Sequence, residues 1–160
     1  MNVIGLGDAG CNIADCFSQY SQYKIFKINV DIEGKGCYNV PILETAEEYE
    51  SHDYPKIKSF FKSLKGETLF IIGGSGKISC GSLRILENIK SLPVSILYIQ
   101  PDIQMLDDIQ KKQERLVRNV IQEYAHSAVF EKVCLVSNNA LDGIIGGAPI
   151  IGYHNALKEL

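Results

Sequence analysis

No two cysteines in this chain have the C-x-x-C spacing of a metal site, and their number, five, is odd. Cys11, Cys16, Cys37, Cys80 and Cys134 are spread along the sequence, which speaks against zinc and reads as reduced, partly buried thiols of a cytoplasmic protein. There is no basic excess either. Sixteen Lys and Arg against 19 Asp and Glu leave a net charge of −3, a balance that gives no footing for nucleic acid. No apolar run approaches membrane-spanning length, and the start, Met1-Asn2-Val3-Ile4-Gly5, has neither a basic region nor a signal-peptide core. Neither nucleic acid nor membrane is therefore expected as a partner. Internal repeats and low-complexity linkers are absent as well, and 160 residues fit one domain.

What is present is strand and helix in alternation. Asn2 to Leu6 is a short apolar strand, Gly7 to Gly10 a turn, and Cys11 to Tyr20 a helix with Ile13, Ala14 and Phe17 at helical spacing. Lys24 to Val30 is a strand that ends at Asp31. The polar stretch 32–55 offers only a short strand at Val40 to Leu43, and Lys56 to Leu64 is an amphipathic helix. Thr68 to Ile72 reads as a strand covered on both faces, followed by a second glycine-rich turn, Gly73 to Gly81, and a helix reaching Lys90. A buried strand at Pro93 to Gln100, a long helix at Asp107 to His126 and a last strand at Lys132 to Ser137 follow. A final helix starts near Pro149. This order predicts a three-layer, Rossmann-like α/β fold, a parallel sheet with helices on both faces. Ligands in such folds sit beyond the carboxyl ends of the strands.

Gly5-Leu6-Gly7-Asp8-Ala9-Gly10 is a complete G-x-G-x-x-G directly after a strand. Glycines permit a tight turn and a close approach of phosphate to backbone, and the helix start adds free N–H groups and a positive dipole end. Asp31 closes the next strand about twenty residues later, as a dinucleotide fingerprint requires. Taken alone, this loop leaves three readings open. They are a Rossmann-type NAD site, another nucleotide, or glycines that serve only the turn and the packing of helix on strand.

Gly73-Gly74-Ser75-Gly76-Lys77-Ile78-Ser79-Cys80-Gly81 is a second such loop, and the NAD fingerprint has no place for it. The P-loop pattern G-x-x-x-x-G-K-[ST] is not met, because Ile78 stands where a magnesium-binding Ser or Thr belongs. The pair of loops instead resembles the tubulin/FtsZ superfamily, whose signature G-G-G-T-G-[ST]-G opens a later helix of the nucleotide-binding domain. Four more segments are similar in order and spacing. GDAGCN resembles G-x-x-G-N-[NQ], and Asn29-Val30-Asp31 resembles N-T-D. Ser137 to Leu141 resembles D-N-E-A-L, and Ala148 to Asn155 resembles T-P-T-Y-G-D-L-N. The signature loop itself has lost glycines, with Lys77, Ile78 and Cys80 as the intruding residues.

The resemblance implies a guanine nucleotide, GTP or GDP, with magnesium as an optional companion. Phosphates would lie on the backbone of Gly7, Asp8, Ala9, Gly10 and Cys11 and of Gly73, Gly74, Ser75, Gly76 and Lys77, whose ammonium could add a charge contact. Asn12, Asn138 and Asn155 take the places of the base-reading side chains, and an amide suits the mixed edge of guanine. Each is equally at home as a cap or turn residue. Ile151 stands where the family stacks an aromatic on the base. Glu114 and Arg118 are similar to a ribose-holding pair, against which stands an ordinary i,i+4 ion pair.

Glu50 to Lys58 does not resemble the family's terminal-phosphate sensor. The resemblance also implies that the chain ends within the family's central helix. The second domain, whose acidic loop activates water in a neighbouring subunit, would then be missing. The expectation is therefore a minimal or truncated relative that self-associates or binds a protein partner, at most a weak GTPase. A structural protein that kept the fold without nucleotide and a Rossmann-type NAD-binding protein are the alternatives.

Overall fold

The computed structural model describes residues 1–139. The helix expected from Pro149, with Ile151 and Asn155, lies outside them.

Strand β1 (Asn2–Leu6) is buried along its whole length, as its near-continuous apolar sequence requires. It leads without a linker into α1 (Gly7–Cys16). Next come β2 (Lys24–Asn29), β3 (Cys37–Asn39), α2 (Ala46–Ser51) and α3 (Ile57–Phe60). The second half holds β4 (Thr68–Gly73), a 3-10 turn at Lys77–Gly81, α4 (Ser82–Leu86), β5 (Val94–Gln100), α5 (Asp108–Ser127) and β6 (Lys132–Ser137). The six strands form one parallel sheet in the order β3-β2-β1-β4-β5-β6. The expected parallel α/β architecture is what the chain adopts.

Alternation along the strands divides the core. Val3, Ile71 and Ile99 face α1 and its Ala14. Ile4, Leu6, Phe26, Ile28, Phe70, Ile72, Ile96 and Tyr98 face the other way, onto the α2–α5 side. Each large side chain fully buried in this way stabilises the fold by about 1.5–3 kcal/mol.

Three local expectations are corrected. The first glycine turn is not separate from its helix, since α1 already starts at Gly7. The third strand lies at Cys37–Asn39 rather than Val40–Leu43, because Pro41 has no N–H to extend the ladder. A helix expected nowhere, α2, opens on a capping box in which Thr45 and Glu48 satisfy each other's backbone N–H groups.

The sheet order places β1 and β4 side by side. From β1 the chain moves outward to β2 and β3, then crosses back to β4 on the other flank of β1. This is the topological switch point, where an open parallel sheet leaves a crevice at its carboxyl edge. Both glycine loops leave the sheet there.

Candidate functional site

Gly7 can open α1 so abruptly because its φ of +69° belongs to the region where side chains are disfavoured. Two other glycines of the same loop serve packing. A Cβ on Gly5 would strike the carbonyl of Gly10, and one on Gly10 would stand 2.5 Å from the carbonyl oxygen of Ile71. Two of the three glycines in the fingerprint thus let α1 lie hard against β1 and β4. The N-cap of α1, Leu6, supplies no side-chain hydrogen bond. Helices α2 and α5, in contrast, both carry complete capping boxes. The first-turn N–H groups of α1 thus have no side-chain acceptor and are open to another.

The second loop leaves β4 and folds over this helix start. A Cβ on Gly73 would lie 3.1 Å from the Cβ of Ala9, and one on Gly7 would lie 2.9 Å from Cγ2 of Ile78. Between the two loops is a cavity of about 360 Å³. Its walls are Leu6 to Ala9, Asn29, Val30, Tyr49, Gly73 and Ser75 to Ser79. The two loops singled out from the sequence thus meet at one hollow.

The polar groups of the cavity are few. Asp8 presents a carboxylate whose Oδ1 accepts a hydrogen bond of 2.7 Å from Nδ2 of Asn29. Ser79 is 2% exposed and lines the cavity. The Lys77 ammonium donates to the carbonyls of Leu43 at 3.5 Å and Glu44 at 3.2 Å, at the cavity's outer end. Lys77 also borders a second hollow of about 320 Å³ against α5.

Other residues singled out from the sequence lie elsewhere. Gly10 and Cys11 sit beneath the cavity. The Cys11 thiol donates to the carbonyls of Gly5 and Ile28, and burial pushes its pKa up to about 12, so it stays neutral. Asn12 is exposed on α1, outside the cavity wall. Asp31 is an exposed turn residue with φ of +49°, also outside it. Asn138 follows β6 at the same carboxyl edge, two strands from β4. Gly74 packs on the ring of Tyr98, behind the second loop.

Glu114 and Arg118 do form an ion pair, at 3.5 Å, but Glu114 is 2% exposed and turned inward. Its other oxygen accepts a hydrogen bond of 2.9 Å from the Tyr98 hydroxyl. Burial, then the adjacent carboxylate, raises the pKa of Tyr98 well above the usual phenol range. The pair thus supports the second loop from behind, through Tyr98 and Gly74. Three wall residues, Tyr49, Ile78 and Ser79, carry no sequence signal of a site by themselves. Asn29 does, as the last residue of a strand at the switch point.

Among the described residues no group of three or more His, Cys, Asp or Glu is placed to hold a metal ion. Nor is any helix among them long and apolar enough to cross a membrane.

No family model matches the sequence, and no curated protein matches it. Among solved structures the chain is similar to CetZ2 from Haloferax volcanii, a GTPγS-bound protofilament, with a TM-score of 0.73 over 99% of this chain. Identity is 15%, so the likeness is one of fold. That fold is the α/β fold of the tubulin/FtsZ nucleotide-binding domain. The chain spans 54% of the length of the protein it matches.

Proposed function

We propose that this chain is a guanine-nucleotide-binding domain of tubulin/FtsZ type. GTP or GDP would be held with its phosphates between the two glycine loops. One observation carries the reading. Two loops from adjacent strand ends enclose a single hollow, and a helix start without a side-chain cap opens onto it. The phosphates take the free amides of the first turn of α1 and those around Ser75 and Gly76, with Lys77 adding charge. Asn12, Asn138 and Asn155 are the proposed readers of the base. Magnesium, if it accompanies the phosphates, would have the Asp8 carboxylate on the cavity wall as its charged protein neighbour.

The proposed mode of action is nucleotide-dependent self-association or partner binding, not turnover by this domain alone. Its support is twofold. The structural neighbour is a protofilament, and the lining carboxylate, Asp8, is engaged by Asn29 instead of being free to activate water.

A titration comparing GTP, GDP, ATP and NAD tests the reading, together with chromatography of any nucleotide that co-purifies. Guanine nucleotides are expected to bind tightest. Preference for NAD would instead favour the dinucleotide reading, since the β3-β2-β1-β4-β5-β6 order is shared with dinucleotide-binding sheets. Binding of none of them would leave a nucleotide-free structural protein.

A further inference from the structure

The geometry points to a site that selects by phosphate number, taking a nucleoside diphosphate in preference to a triphosphate, with Ile78 as the determinant. This inference rests on the guanine-nucleotide reading and narrows it.

Ile78 is the second residue of the 3-10 turn at Lys77–Gly81, yet its side chain reaches across to the other loop. Its Cγ2 lies 2.9 Å from where a Cβ of Gly7 would stand, so the methyl rests on the backbone of the first loop. It is 8% exposed and forms part of the cavity wall. An apolar branched side chain therefore fills space at the point where two sets of amides converge. A phosphate oxygen cannot share that space, and the methyl offers it no hydrogen bond in return.

Some donors of the second loop are already spent. The amide of Gly74 is spent on the carbonyl of Ile99 at 3.0 Å, and that of Ser79 on the carbonyl of Gly76 at 3.1 Å. The Lys77 ammonium is engaged by the carbonyls of Leu43 and Glu44, and its charge is matched by that of Asp8 on the same wall. Each added phosphate brings at least one further negative charge that needs donors of its own. Room and donors together fit two phosphates better than three.

The test is a titration of nucleotide-stripped protein, with magnesium in fixed excess, against GMP, GDP and GTP and against pyrophosphate and tripolyphosphate. GDP is expected to bind about tenfold tighter than GTP, and pyrophosphate to exceed tripolyphosphate by a similar factor. Ile78→Ala, and separately Ile78→Ser, should raise GTP affinity until the two nucleotides differ by less than about threefold. Melting curves establish that each variant is folded. Should neither fold, the wild-type series decides alone. GTP binding as tightly as GDP in the wild type overturns the inference, and so does an unchanged ratio in folded variants. If no guanine nucleotide binds, the functional reading fails, while pyrophosphate against tripolyphosphate still reports the room available. Failure of every one of these ligands to bind overturns both.

Discussion

Replacing Glu114 separates two roles for one carboxylate. As a ribose contact it would matter for ligand and little for folding; as the buried partner of Tyr98 and Arg118 it matters for folding first. Tyr98 is fully buried, so Glu114→Ala leaves its hydroxyl without an acceptor, at a cost of about 1–3 kcal/mol. The one lost methylene adds about 0.8 kcal/mol. Release of Arg118, whose side chain is 38% exposed, adds at most about 0.5 kcal/mol. The total is about 2–4 kcal/mol. For a domain of this size that lowers the melting temperature by roughly 4–16 °C. Glu114→Gln keeps an oxygen for Tyr98 and loses only the ion pair, so a shift of no more than about 2 °C is expected. Thermal unfolding followed by circular dichroism gives both numbers. Nucleotide titration below the transition of the weaker variant completes the set and should show affinity within about threefold of wild type. A Glu114→Ala protein that melts within about 2 °C of wild type but binds nucleotide tenfold more weakly refutes the supporting role.

Burial raises the pKa of Cys11 and of Cys80 from 9.0 to about 12. Unfolded thiols ionise from about pH 9 while the folded ones stay protonated, so their contribution is complete below pH 9 and lost as pH rises toward about 12. The expected loss is about 1.4 kcal/mol per pH unit for each thiol, read from urea unfolding under reducing conditions. A Cys11→Ala/Cys80→Ala protein with the same alkaline slope as wild type would contradict it. Gly10→Ala forces a Cβ against the Ile71 carbonyl and should cost about 2–4 kcal/mol, a loss visible in the same unfolding assay. An unchanged midpoint would show that α1 can lift from the sheet freely. Lys77→Met removes the cation of the cavity wall and should weaken nucleotide binding about tenfold by calorimetry, with little change in melting temperature. Equal affinity would place Lys77 outside the site.

The fold was largely legible because parallel strands buried on both faces announce themselves. The runs NVIGL, TLFII and VSILYIQ are too apolar for an edge and too short for a helix, and all three occupy the middle of the sheet. Errors fell where local and tertiary preferences conflict. Glycines at positions 7 and 10 argue for a turn by propensity, yet α1 runs through them because the sheet admits no side chain at Gly10. The stretch 32–55 hid α2 although its start signal, Thr45-Ala46-Glu47-Glu48, is a readable S/T-x-x-E box. Its polar surroundings masked a helix that buries only Tyr49.

For the site, the sequence identified the loops but not which face of each residue would be used. Glu114 is instructive here. Four residues before an arginine, it reads as half of a surface pair. It also stands three and seven residues before Val117 and Ile121, on the buried stripe of α5. That second spacing decides, since a carboxylate on a core stripe needs an internal partner, and Tyr98 on β5 provides it. Ile78 shows the same logic in reverse. In sequence it is merely a departure from a glycine-rich signature. In the structure the departure has an address, because the Ile78 side chain lies across Gly7. The uncapped start of α1 still opens onto the hollow between the two loops, where an anion can take its N–H groups. Under the proposed preference for a diphosphate, the Ile78 methyl at one corner of that hollow is what shortens the ligand that fits.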